Sequence, residues 1–255
     1  MLLAINIGNS SLRFGIFEKD TFECKNSWII NSKPHRTSDE YLVIFRNTYV
    51  QYHVVPESIQ NIVIGSVVPP LTNIIKESLY KIHQINPEIV DRYTSSSVKH
   101  QSYQLGTDLY ANAVAAHTLY KKTTLIIDFG TALSLTCVEK TSEFRGAVIA
   151  PGVNSALSAL ISHTDQLSQV ELKKPSNVLG FYSDACIQSG MIYGYLSMVE
   201  GLIDRIDQEL KTRCFVIATG GLSHIYAPLT KKINFSDKLH TIKGLKILYS
   251  SSNKN

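Results

Sequence analysis

Cysteine is scarce and unpaired in this chain. Cys24, Cys137, Cys186 and Cys214 are the only four in 255 residues, and no two are spaced Cys-x-x-Cys. That argues against a disulfide framework and a cysteine-based zinc site. Cys137 and Cys214 lie in or beside apolar runs and read as small buried hydrophobes. The eight histidines are scattered, with no His-x-x-x-His pair, so no zinc ligand set is indicated. His117 and His163 read as structural or surface residues. A Gly-x-Ser-x-Gly elbow is missing, which removes the main support for a serine hydrolase. No apolar run reaches the roughly 18 residues of a membrane span. The first apolar stretch is interrupted by Asn6 and reads as a core strand, not a secretion signal. The net charge of +4 is dispersed in short pairs, Lys121-Lys122, Lys173-Lys174 and Lys231-Lys232, without a basic-aromatic stripe. Nucleic acid is therefore not an expected partner. A cytoplasmic protein is expected, with no membrane partner. Its 44% hydrophobic content suffices for a packed core.

What the chain does have is one device written twice. Leu2-Leu3-Ala4-Ile5-Asn6-Ile7-Gly8-Asn9-Ser10 is an apolar run, then an amide, an apolar residue, Gly and small polar residues. Thr124-Leu125-Ile126-Ile127-Asp128-Phe129-Gly130-Thr131-Ala132 repeats that order with a carboxylate. Each run reads as a buried strand. Each Gly permits a tight turn and close approach to a ligand, and the amides and hydroxyls after it can cradle phosphate. A carboxylate at a strand end can serve hydrated Mg²⁺. A third segment, Cys214-Phe215-Val216-Ile217-Ala218-Thr219-Gly220-Gly221, runs a strand into a glycine pair against which a base or ribose can lie.

Along the chain, strands are predicted to Ile7, over 11–17 and 22–30, with a hairpin turn at 18–20. A helix over 37–49 has Ser38 as its candidate cap. A strand at 62–68, a helix at 71–82, a short strand at 88–91 and an Ala-rich helix at 108–120 follow. The second half repeats the plan: strands over 133–138 and 146–149, helices at 155–161 and 184–210, and a strand at 215–218, with 223–226 and the tail completing the unit. The expected organisation is an N-terminal lobe at 1–117 and a C-terminal lobe at 118–255, tail included. The duplication suggests an α/β protein with a ligand cleft between two similar lobes.

These segments, in this order, resemble the actin-like kinase superfamily, and within it the type III pantothenate kinases. The family's first loop is matched by Asn6-Ile7-Gly8-Asn9-Ser10, and its Gly-x-Asp-Arg motif by Gly106-Thr107-Asp108-Leu109. Its Asp-x-Gly-Thr-Ala motif is intact at Asp128-Phe129-Gly130-Thr131-Ala132. Ser66-Val67-Val68-Pro69-Pro70, Gly146 to Gly152, Gln188-Ser189-Gly190, Tyr193-Gly194-Tyr195 and Ala218-Thr219-Gly220-Gly221 are similar too. The resemblance implies two ribonuclease H-like lobes and ATP-dependent phosphorylation of pantothenate, the first step toward coenzyme A. It implies Asp108 as general base. It places ATP on Asn6, Ile7, Gly8, Asn9, Ser10, Ser11, Leu12, Arg13, Thr131, Gly220 and Gly221. Substrate falls to Tyr103, Gly106, Thr107, Asp108, Leu109 and Ser183. Asp128 would serve a cation, with Mg²⁺ accompanying ATP and a monovalent ion, K⁺ or NH₄⁺, in addition. A homodimer is implied.

Two positions depart from the family pattern. Asn6 stands where the first loop carries a carboxylate, and Leu109 where an Arg would hold the substrate carboxylate. Lys99 and Arg13 are the cations considered as replacements. The departures leave two further readings open. One is a weakened or inactive nucleotide-binding relative with a regulatory role. The other is a kinase for another small alcohol.

Overall fold

The computed structural model describes residues 1–18, 21–163 and 170–253. The expected turn at 18–20 lies partly outside them. The chain divides into two compact units, 1–118 with 239–255, and 119–238.

The first unit opens with β1 (Leu2–Ile7), β2 (Ser11–Phe17) and β3 (Cys24–Asn31). Helix α1 (Ser38–Gln51) follows, then β4 (Asn61–Ser66), α2 (Pro69–His83), β5 (Glu88–Val90) and α3 (Thr107–Tyr120). The sheet order is β3-β2-β1-β4-β5. β1 is antiparallel to β2 and parallel to β4. Leu2 to Ile5 are all buried because this central strand is covered on both faces. One face packs Leu3, Ile5, Ile7, Phe14 and Trp28 against Tyr41, Phe45, Leu71 and Ile75 of α1 and α2. The cap of α1 is Thr37, not Ser38. Thr37 Oγ1 accepts from Glu40 N, and Glu40 Oε2 accepts from Thr37 N, a capping box that satisfies two orphan amides.

The second unit begins with β6 (Thr124–Phe129), β7 (Ala132–Val138) and β8 (Phe144–Pro151). Next come α4 (Val153–Ser162) and a long helix in three stretches: α5 (Ser183–Ser189), a π turn over Gly190–Gly194, and α6 (Tyr195–Leu210). β9 (Phe215–Thr219), α7 (Ser223–Tyr226) and β10 (Phe235–Ser236) complete it. Its sheet order is β10-β9-β6-β7-β8. β6 is antiparallel to β7 and parallel to β9, and β9 is parallel to β10. The two sheets thus share one topology, three antiparallel strands followed by two parallel additions. Cys137 and Cys214 are buried in the core of this unit, as expected.

The tail corrects the expected second lobe of 118–255. Helix α8 (His240–Ser252) belongs to the first unit and lies on β1, β4 and β5. Its Ile242 and Leu245 pack where Gly15 and Gly65 leave room on the sheet. Gly244 lets it approach the Ala111 carbonyl of α3 so closely that a Cβ would collide. Thr241 Oγ1 donates to Asn112 Oδ1 at 2.8 Å, and Lys246 Nζ donates to the carbonyls of Glu18 and Thr21. A helix with this much buried surface has to find a sheet face. Sequence order alone did not reveal which one.

Candidate active site

In the first unit the functional segments gather at the carboxyl end of the parallel strands, where open α/β sheets bind ligands. Asn6 is half-buried at the penultimate position of β1, paired with Arg13 on β2 and Gly65 on β4. Gly8, Asn9 and Ser10 form the turn, which is closed by Gly8 N donating to Ser11 O at 3.0 Å. Ser32, fully buried, holds it from the side: its Oγ donates to Gly8 O at 2.6 Å and its N donates to Ser10 O at 3.0 Å. Ser11, Leu12 and Arg13 begin β2, with Leu12 buried and Arg13 half-buried.

Beside this loop stands the start of α3. Gly65, the strand neighbour of Asn6, has Thr107 Cγ2 3.0 Å from where a Cβ would be. Val67 N donates to Ile7 O at 3.1 Å, and Val67 also lies against Gly106. Gly106, Thr107, Asp108 and Leu109 are thereby set next to the first loop. Nearly every residue of α3 from Tyr110 to Ala116 is buried, so the helix is fixed by packing on all sides. Its alanines leave room for that close approach. Asp108 Oδ1 accepts from Leu109 N at 2.8 Å. Burial pushes the Asp108 carboxyl above its ordinary value. Backbone N–H groups oppose this, and no cation is among the groups acting on it. A carboxyl so tuned suits proton acceptance nearer neutral pH. Tyr103 is 84% exposed in the preceding turn, and Leu109 is half-buried and uncharged.

In the second unit, Asp128 holds the same place on β6 that Asn6 holds on β1. It pairs with Ser134 on β7 and Thr219 on β9. Directly opposed residues share a face of the sheet, so a carboxylate is flanked by two hydroxyls across three strands. Thr219 is 1% exposed, and its Oγ1 is buried without a hydrogen-bond partner. Gly130 and Gly220 let the backbone approach Asp128 Oδ1 closely. A Cβ on Gly130 would stand 3.2 Å from that oxygen, and one on Gly220 would strike it and the Phe129 backbone. Gly220 also has φ +90, which favours glycine. Thr131 is exposed at the loop tip. Its carbonyl accepts from Gly152 N at 3.2 Å and Ser155 Oγ at 2.8 Å. Gly221 is exposed after β9, and Ser183 is exposed at the start of α5.

The structure therefore brings Asn6 to Arg13 together with Gly106 to Leu109 in one unit. In the other it brings together Asp128, Thr131 and Gly220. Ser32, Ser134, Thr219 and Gly152 were not singled out as site residues from the sequence. Only register and close packing reveal them. The hard-oxygen set of Asp128, Ser134 and Thr219, with one orphaned hydroxyl, fits a hydrated divalent cation or an alkali cation.

Two units of this topology, each with a glycine loop after the penultimate polar residue of its first strand, define the actin-like fold of two ribonuclease H-like lobes. Two solved structures share it. One, described as a Baf family transcriptional activator from Campylobacter jejuni, has a TM-score of 0.61 at 18% identity, covering 97% of each chain. The other, described as a 2-dehydro-3-deoxygalactonokinase from Sinorhizobium meliloti, has a TM-score of 0.59 at 12% identity, covering 100% of this chain and 98% of that one. At the sequence level, a type III pantothenate kinase from Roseiflexus castenholzii is 34% identical over 252 residues, 98% of each chain. The profile of the type III pantothenate kinase family matches residues 2–205. The chain belongs to that family of phosphotransferases. Among the described residues, no helix is long and apolar enough to cross a membrane.

Proposed function

We propose that this chain is a working type III pantothenate kinase, transferring the γ-phosphoryl group of ATP to the hydroxyl of pantothenate. The observation that carries this reading is Asp108, a desolvated carboxyl without a cationic partner at the start of a rigid buried helix, beside the first loop. Asp108 accepts the hydroxyl proton as the oxygen attacks the γ-phosphorus and ADP leaves. Phosphoryl transfer asks mainly for positioning and charge stabilisation. The backbone amides and hydroxyls of the loop from Asn6 to Arg13 position the phosphates, as do those around Thr131. Gly220 and Gly221 take the adenosine. Gly106, Thr107, Tyr103 and Ser183 are the proposed substrate residues.

Asp128 is the cation residue, with Ser134 and Thr219 beside it. Asp128 would hold the cation: Mg²⁺ carried with ATP would supply neutralisation of phosphate charge, and K⁺ or NH₄⁺ would be the second ion. A cytoplasmic homodimer is part of the proposal. The exposed apolar stretch Val178, Leu179, Phe181 and Tyr182 supports self-association.

Asn6 and Leu109 favour a second reading, a nucleotide-binding relative without turnover and with a regulatory role. Isothermal titration with ATP, run beside an ADP-release assay with pantothenate, separates the two. Binding with turnover supports the kinase, and binding without it supports the regulator.

A further inference from the structure

Leu109 leaves the substrate carboxylate without its expected partner. Arg13 lies on β2 opposite Asn6, on the phosphate side. Lys99 is exposed. A different cation lies against the substrate loop. Arg92 follows β5, and its Nη1 donates to the carbonyl of Leu105 at 3.4 Å, the residue immediately before Gly106. Its guanidinium stands 4.7 Å from the Tyr93 ring centroid, and Nη2 donates to Tyr93 Oη at 3.2 Å. Among the described residues no carboxylate pairs with it. The adjacent Asp91 carboxylate accepts from Tyr93 N at 2.8 Å instead. Arg92 Nε is buried and has no acceptor.

A second orphan lies in the same segment. His100 Nε2 donates to the Arg92 carbonyl at 2.7 Å, which fixes the ring with Nε2 protonated. The ring is also held edge-on by Tyr110, at 5.0 Å between centroids. The other nitrogen, Nδ1, is buried without a partner. Buried polar atoms without partners are uncommon and costly. Here the segment just ahead of Gly106 carries an unpaired donor on a cation, Arg92, and an unpaired acceptor, His100, linked through the Arg92 backbone carbonyl. Pantothenate carries a carboxylate and, two methylenes away, an amide N–H. These are the chemical complements of a guanidinium donor and an imidazole acceptor.

Resting on the pantothenate kinase reading, we propose that Arg92 replaces the missing cation at position 109, binding the substrate carboxylate while His100 Nδ1 accepts from the substrate amide. The pair is a specificity device that selects an acidic alcohol.

The test compares pantothenate with panthenol, the same amide alcohol with a hydroxymethyl in place of the carboxylate. With Arg92→Gln, KM for pantothenate is expected to rise by roughly 10–100-fold with kcat little changed, as for loss of uniform binding by a charge-assisted contact. KM for panthenol stays within about twofold. A purely structural role for Arg92 moves both substrates equally, and that result overturns the proposal, as does no change for either. Should Arg92→Gln melt below the assay temperature, Arg92→Lys is used. A selective rise for pantothenate supports the proposal, and an equal rise overturns it. A parent enzyme that turns over neither alcohol overturns the functional reading itself, which is distinguishable because it needs no variant.

Discussion

Asn6 and Asp128 occupy the same position in two sheets of one topology. Each is penultimate on the first strand, with an antiparallel partner on the second, Arg13 or Ser134, and a parallel partner on the fourth, Gly65 or Thr219. One copy carries a carboxylate and the other an amide, so the charge for cations is concentrated in the second unit.

Restoring the missing charge should therefore speed the enzyme. A unit charge pair about 4 Å apart at an effective dielectric of about 20 interacts by roughly 4 kcal/mol, more for a divalent ion and less through water. If about 1.4 kcal/mol of this is recovered, Asn6→Asp raises turnover, or lowers the Mg²⁺ requirement, by roughly tenfold. Mg²⁺ titrations that superimpose for parent and variant would refute this.

Asp108→Asn separates catalysis from stability. Its folded-state pKa is raised, so its protonated form stabilises the fold below the unfolded value of 3.8, and that contribution is lost as pH rises through the folded pKa. At neutral pH its charge is a liability. The variant should lose about 10²–10⁴-fold in kcat, retain ATP binding, and melt at a higher temperature than the parent. A helix-capping role predicts the opposite in the melt, a loss of about 1 kcal/mol.

The cation set is read by Asp128→Ala and Thr219→Val. Both should shift activation by Mg²⁺ or K⁺ to higher concentration. Thr219→Val should also keep or raise stability, because it removes a buried unpartnered hydroxyl. If cation titrations follow the parent while stability falls, Thr219 is structural only.

His83 sets an acid limit on the first unit. Its Nε2 bonds Tyr49 Oη at 2.9 Å and its Nδ1 bonds Pro56 O at 3.2 Å. Burial lowers its pKa, with Pro56 and Glu57 opposing. A lowered histidine contributes stability above its unfolded value of 6.5 that is lost as pH falls through the folded value. The exposed carboxylates Glu18, Glu40 and Glu77 are themselves lowered, and their contribution fades only below about 4.5. Melting temperature should drop between these ranges, and His83→Gln should flatten that drop.

Much of this was legible in the chain itself. The paired runs ending at Ile7 and Phe129 announce buried strands because they are apolar on both faces, and the glycines after them mark the loops. The long helix at 184–210 was visible in its period, although the π turn at Gly190–Gly194 was not. What stayed hidden depends on register and packing. Nothing in the spacing of Ser134 or Thr219 says that both oppose Asp128. Nothing local to His240–Ser252 says which sheet it covers. Thr37 outcompeted Ser38 as cap because Glu40 lies three residues after it.

The central claim is tested most directly by coupled ADP release with Mg²⁺-ATP and K⁺ across a panel of small alcohols. Saturable release with pantothenate is the expected result. Tight ATP binding with no release on pantothenate, or release only with another alcohol, would contradict it.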